Sequence, residues 1–196
     1  FAEAANAAGL AVADEGVNVL SFSNSSAIAG GNVFLLGKTF DNTAERVIGY
    51  LARLGKQRAV IVYPDNLEGE AGLRALEKTA QYSSLKIAHS QAFEFSQEGV
   101  VAAIPLIRAA VEIEEADTML LTSTTAGALG LLVQLLPEAG INPDKVQYAG
   151  LARWDVPAQT LALSGVQGGL FALPDYARPQ SFSTRYEEKF SSKPHQ

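Results

Sequence analysis

Short apolar runs rich in Val, Ile and Leu alternate with longer segments of helical periodicity along nearly the whole chain. This alternation limits the possible folds more than any other feature. The runs predict strands near Val17–Phe22, Val33–Leu36, Ala59–Tyr63, Leu85–Ala92, Thr118–Leu121, Val146–Ala149 and Val166–Phe171. The segments between them predict helices near Ala2–Ala13, Asn42–Leu54, Ala71–Tyr82, Glu98–Glu114, Ala126–Ala139 and Pro157–Leu163, with a last one from Pro179 to Phe190. The stretch after Phe40 shows the logic. Asp41 is a suitable N-cap, because its carboxylate can accept orphan N–H groups of a first helical turn. Ala44, Val47, Ile48, Leu51 and Leu54 form one apolar stripe, and Gly55 supplies a left-handed terminator. The RAVIVYP that follows is apolar throughout, as a parallel strand buried on both faces requires. Repeated strand–helix–strand units give an α/β fold with a doubly wound parallel sheet and right-handed crossovers. Pro137 interrupts LGLLVQLLPEAG and predicts a kink or a fresh turn ended by Gly140.

Composition then removes whole classes of chemistry. The 196 residues suffice for one sizeable core, or for one domain with a remainder. A formal net charge of −6, with no basic run, argues against a phosphate-tracking surface, so no nucleic-acid partner is expected. The absence of Cys excludes a disulfide scaffold, a thiolate metal site and a cysteine nucleophile. Two histidines, His89 and His195, are too few for a His-rich metal site, and no metal or other cofactor is expected. His89 falls in a predicted strand and reads as structural, while His195 reads as an exposed terminal residue. Glu112, Glu114, Glu115 and Asp117 close a helix and read as a solvated face. No dinucleotide fingerprint, P-loop or nucleophile elbow occurs, and Gly69-Glu70-Ala71-Gly72 lacks the Lys of a phosphate loop. The chain is therefore read as a non-enzyme with no catalytic residues. Met119 to Leu136 carries no charge and approaches the length of a membrane span. Its Thr122–Thr125 run and two glycines instead predict a buried strand turning into a helix.

Ligands of open α/β sheets bind outside the carboxyl ends of the strands, where loops lead into helices. Four such loops are unusually polar: Ser21–Ser26, Pro64–Asn66, Thr122–Thr125 and Gly150–Asp155. Hydroxyls and free N–H groups there suit a carboxylate or another anionic group. The indole of Trp154 and the guanidinium of Arg153 could cover a bound organic molecule from the rim. Helix capping and turn formation are the simpler account of any one loop, but four together favour a site.

Three stretches then point to a family. VNVLSFSNSSAIAGGNVFLLGKTFDNTAERVIGYL, RAVIVYPDNLEGEAG and TSTTAGALGLLVQLLPEAGI follow in the order found in type I periplasmic binding proteins. The branched-chain amino acid group resembles the chain most closely. YAGLARWD and VQGGLFALPDYARPQSFSTRYEEKF resemble that family's passage from one lobe to the other. The resemblance implies Rossmann-like lobes of a two-lobed Venus-flytrap fold that closes on a small molecule in the periplasm and delivers it to an ABC transporter permease. The LSFSN and P-x-N patterns also resemble a branch described as penicillin-binding protein activators, which implies a peptidoglycan synthase as the alternative partner.

The family's chains are longer and both ends here look cut, so the fold is expected to be truncated, with a lipid anchor in the missing N-terminus. By analogy, residues 1–37 end the first N-lobe segment, 38–173 form the C-lobe, and 174–196 return to the N-lobe. Carried over by position, Ser21, Ser23, Asn24 and Ser25 match the loop that grips a ligand carboxylate. Asp65, Asn66 and Glu68 fall on the first C-lobe loop, Ser123 and Thr124 on the next, and Arg153, Trp154 and Asp155 on the third. One departure stands out: Glu68-Gly69 replaces the family's frequent Tyr-Gly, so an aromatic wall becomes a carboxylate. That weighs against an apolar amino acid as ligand; Glu68 or Asp155 could pair with an ammonium group, and Arg153 could hold an acid.

Overall fold

The computed structural model describes residues 2–124, 127–173 and 177–194. Among them, the strands are β1 (Val19–Ser21), β2 (Val33–Leu35), β3 (Arg58–Pro64), β4 (Lys86–Phe93), β5 (Thr118–Leu121), β6 (Gln147–Gly150) and β7 (Leu170–Phe171). The helices are α1 (Ala2–Ala11), α2 (Phe40–Arg53), α3 (Leu67–Ala80), α4 (Gln97–Ile113), α5 (Leu129–Glu138) and α6 (Ala177–Phe190). β1 and β2 pair as a small parallel sheet. The other five strands form an all-parallel sheet in the order β4-β3-β5-β6-β7.

That order follows from strands apolar on both faces. Along β3, Val60 and Val62 enter one core with Ile107 of α4 and Leu132 of α5. Ala59 and Ile61 enter a second core with Leu51 of α2 and Leu76 of α3. The two-residue period of a strand divides the side chains between the two helical layers. From β3 the chain steps outward to β4 and then crosses back to β5 on β3's other side. The order therefore reverses between β3 and β5, and the doubly wound expectation holds.

Local details differ from the sequence reading in informative ways. The N-cap of α2 is Thr39, not Asp41: Thr39 Oγ1 accepts from the Asn42 N–H at 3.3 Å, and Asn42 Oδ1 accepts from the Thr39 N–H. Asp41, one turn position later, is thereby left to reach across the structure. Gly55 takes its expected left-handed conformation with φ of 79°. Pro137 sits in the last turn of α5, which ends at Glu138, and Gly140 follows in the left-handed conformation with φ of 90°. Pro105 lies inside α4 on its exposed face, where water can satisfy the carbonyl it leaves without a donor. The predicted helix after Pro157 is a short 3-10 segment, Ala158–Ala162. The predicted strand from Val166 shrinks to Leu170–Phe171, because Val166 turns inward against α5.

The acidic group near residue 115 is more than a solvated face. Asp117 accepts the backbone N–H groups of Gln57 and Arg58 and the Thr118 hydroxyl, fixing the start of β3 beside β5. Glu114 pairs with Arg58 at 2.7 Å, and Glu112 with Arg108 at 2.7 Å. His89 is exposed on β4, its ring 3.4 Å from Gln91 Oε1; His195 lies outside the described residues. Among the described residues, no helix is long and apolar enough to cross a membrane.

Candidate functional site

The strand order reverses between β3 and β5, and doubly wound sheets bind ligands beyond the strand ends at such a reversal. On the β3 side, Asp65 is exposed and donates its backbone N–H to the Phe93 carbonyl at 2.8 Å. Asn66 caps α3, its Oδ1 accepting from the Gly69 N–H at 2.9 Å. Glu68 stands exposed in the first turn of α3, where the helix dipole favours a carboxylate. These three residues therefore have structural partners or helix-end roles already.

The β5 side is different. The Thr122 N–H extends the sheet by donating to the Val62 carbonyl at 3.1 Å. Its side chain and that of Ser123 are 2% and 3% exposed, yet Thr122 Oγ1 and Ser123 Oγ have no hydrogen-bond partner among the described residues. An unpaired buried hydroxyl costs about 1–3 kcal/mol, so these two are held in place at a cost. Thr124 accepts the Gly127 N–H through its carbonyl at 3.1 Å and opens the turn into α5. Thr125 lies outside the described residues.

Beyond β6, Arg153 and Asp155 form a bidentate pair, Nε to Oδ1 at 2.9 Å and Nη2 to Oδ2 at 2.6 Å. This pair holds the Asp155 carboxyl below the usual carboxylate range. Trp154, expected at the rim, is instead fully buried, with its ring centroid 6.0 Å from that of Phe171. The absence of a side chain at Gly150 makes this possible, since a Cβ there would fall 2.4 Å from the indole nitrogen. Trp154 is therefore a core residue, and its Nε1–H is a third buried donor without a partner among the described residues.

The serine loop after β1 folds on itself. Ser21 Oγ accepts from the Ser23 N–H at 3.1 Å, and Ser23 Oγ accepts from the Ser25 N–H at 3.2 Å. Two backbone bonds tie this loop to the segment leading into α2: Leu36 N–H to the Ser21 carbonyl at 2.8 Å, and Phe40 N–H to the Asn24 carbonyl at 2.9 Å. Gly37 lies between them, so close to Phe22 that a Cβ would be 2.9 Å from its carbonyl oxygen. Lys38, next in sequence, lies within electrostatic reach of both Arg153 and Asp155. Burial and then Arg153 lower its pKa, while Asp155 opposes them. The serine loop, the 36–40 segment and the loop after β6 thus converge through Lys38.

Asp41 ties the serine loop to α3. Its carboxylate accepts the Ser26 hydroxyl and pairs with Lys78 at 3.1 Å. The Ser26 bond is the main cause holding its pKa below the ordinary carboxylate value. A cavity of about 210 Å³ lies here, lined by Asn24, Ser25, Ser26, Asp41, Arg74 and Lys78. Neither Lys38 nor Asp41 was among the expected site residues, and Thr122 was noted only as part of a polar loop. The only sequence signal for Lys38 was its place just after Gly37, at the predicted boundary. Among the described residues, no three His, Cys, Asp or Glu side chains are grouped as a metal ion would require.

A family model described as periplasmic binding protein matches residues 1–196. The chain belongs to the periplasmic binding protein family. Since this is a family of binding proteins, the non-enzymatic reading of the sequence holds. Solved structures share the fold. An ABC transporter substrate-binding protein from Desulfitobacterium hafniense matches with a TM-score of 0.70 at 20% identity, over 97% of this chain and 55% of that one. A branched-chain amino acid ABC transporter protein from Thermus thermophilus with bound valine matches with a TM-score of 0.67 at 16% identity, over 98% and 51%. A solute-binding protein from Rhodopseudomonas palustris BisB5 in complex with 3,4-dihydroxybenzoic acid matches with a TM-score of 0.63 at 15% identity, over 97% and 54%. The chain thus spans about half the length of the solved structures it matches. No curated protein sequence matches it.

Proposed function

We propose that this chain is part of an extracytoplasmic solute-binding protein that captures a small carboxylic acid, amino acids included, in an interlobe cleft for ABC-type uptake. The observation that carries the proposal is the pair of buried hydroxyls of Thr122 and Ser123, without a partner among the described residues, at the reversal of strand order. Two of the fold's relatives support the ligand class, because valine and 3,4-dihydroxybenzoic acid both present a carboxyl group. The cleft is formed by Ser21, Ser23, Asn24 and Ser25 on one side and by Asp65, Asn66, Glu68, Ser123, Thr124, Arg153 and Asp155 on the other, with Trp154 as support beneath.

In this proposal, residues 1–37 and 174–196 belong to one lobe and 38–173 to the other, with crossings near Lys38 and after Leu173. The separate small sheet of β1 and β2 agrees with that division. The ligand works by favouring the closed arrangement through its differential affinity for it, and the macromolecular partner is the system's permease. The comparisons lend no support to a role with a peptidoglycan synthase.

A thermal-shift screen of the protein against amino acids and aliphatic and aromatic acids tests the proposal. A ligand at about 100 times its Kd stabilises by about 2.7 kcal/mol, which such a screen detects. A panel without a single shift overturns the proposal.

A further inference from the structure

We infer that two copies of this chain associate through the outer face of α4, packed antiparallel about a two-fold axis. The inner face of α4 is buried in the core through Val100, Ala103, Ile107 and Val111. Its outer face is apolar as well: Val101, Ala102, Pro105, Leu106, Ala109 and Ile113 are all exposed. Val101 and Leu106 are each 55% exposed, and Ile113 is 78% exposed. A helix that packs on one side only carries polar residues on the other. α2 and α3 obey that rule, exposing Glu45 and Arg46 on one and Glu77 and Lys78 on the other. α4 instead has the composition of a helix covered on both sides, and a contiguous exposed apolar stripe marks an interaction site.

The occupant follows from the way the stripe complements itself end to end. Beside the N-terminus of α4 lies a cavity of about 270 Å³ with mainly apolar walls, among them Phe95, Val100, Gly127 and Leu131. At the C-terminus stands Ile113, an apolar knob. An antiparallel pair brings the knob of each copy to the cavity of the other, twice over, as an isologous interface requires. Between these ends, Glu98, Ala102, Pro105 and Ala109 are spaced four, three and four residues apart, the seam of a heptad. With the two-fold axis between Ala102 and Pro105, Glu98 of one copy faces Ala109 of the other, Ala102 faces Pro105, and Val101 faces Leu106. Ile113 and Phe95 then lie at similar distances on either side of the axis, roughly 14 Å along the helix. The small seam residues let the two helices approach closely. Charge agrees with the same register, since the exposed Arg108 of one copy comes beside the exposed Glu98 of the other. It also comes beside the Val101 carbonyl, the acceptor that Pro105 leaves without a helical donor.

Sedimentation velocity of the chain, from about 1 to 200 µM, tests the inference. The expected result is a shift from the mass of one chain to twice that mass within this range, because one helix face buries less than the ~800 Å² per partner of a standard interface. Ile113→Glu should weaken association at least about tenfold. Glu98→Arg and Arg108→Glu should each weaken it, and the two together should restore it, which a general loss of folding would not do. The chain has no Cys, so Ala102→Cys supplies a single thiol. A short bismaleimide should join two copies through it, and should fail to do so through Glu77→Cys on α3. A chain that stays monomeric throughout overturns the inference, whether another protein or none covers the stripe. Association undiminished by Ile113→Glu, charge variants that do not restore one another, or equal cross-linking at both thiols also overturns it.

Discussion

The loops after β3 and β4 and those after β5 and β6 leave the same edge of one sheet, yet they treat polar groups in opposite ways. Asn66 and Ser96 each cap the following helix by accepting the N–H of a glycine three residues on, both at 2.9 Å. These loops satisfy themselves. After β5 and β6, two hydroxyls and an indole N–H are buried without partners among the described residues. A fold that caps two helices so regularly has the means to satisfy a third loop. The contrast separates loops that build the scaffold from loops held ready for something else.

The contrast can be broken experimentally, and the largest expected effect is at Trp154. Trp154→Ala should cost about 3–5 kcal/mol in urea unfolding, the usual range for emptying an aromatic site in a core. A loss below about 1 kcal/mol would show that the indole is not the packed support described here. Next come the orphan hydroxyls, where the sign is the test. Thr122→Val should leave the ligand-free protein unchanged or stabilise it by about 1 kcal/mol, because it removes an unsatisfied buried group. It should at the same time weaken binding of any acid that shifts the melting temperature. Destabilisation in the absence of ligand would mean that Thr122 already has a partner and that the two sets of loops do not differ.

Asn66→Ala should destabilise by about 1 kcal/mol through the lost cap, with little effect on ligand affinity. An affinity loss larger than the stability loss would move Asn66 from scaffold to site. The smallest effect concerns Asp41, through pH. Its pKa is depressed in the folded protein, so the stability it contributes is present above the unfolded value of about 3.9 and is lost as pH falls through the lower folded value. Unfolding free energies of the wild type and Asp41→Asn should differ by a constant amount above about pH 5 and converge as pH falls through the lower folded value. A difference independent of pH across that range would show that charge is not what ties Asp41 to Ser26 and Lys78.

Much of the architecture was legible in the sequence because it depends on periodicity. RAVIVYP is apolar at every position and became the central strand β3, and the stripe from Ala44 to Leu51 became the buried face of α2. The missed cap illustrates a limit: Thr39 and Asp41 are both good capping residues, and only the angle at which the chain enters α2 chose between them. Trp154 illustrates another. Beside Arg153 and Asp155 it reads as part of a polar loop, while its burial depends on Gly150 and Gly169, which are brought beside it by the pairing of β6 with β7.

The sequence by itself determined the class of the fold and the loops in which a ligand could be held, because hydrophobic period and polar clusters are local properties. The tertiary structure decided which of those polar groups were spent on the scaffold and which were left over. Partnership depends on what strand order and crossover bring within about 3 Å, and no spacing along the chain records that. Asn66 and Ser123 are equally plausible ligand contacts as letters; one caps a helix, and the other has no partner among the described residues at the reversal between β3 and β5.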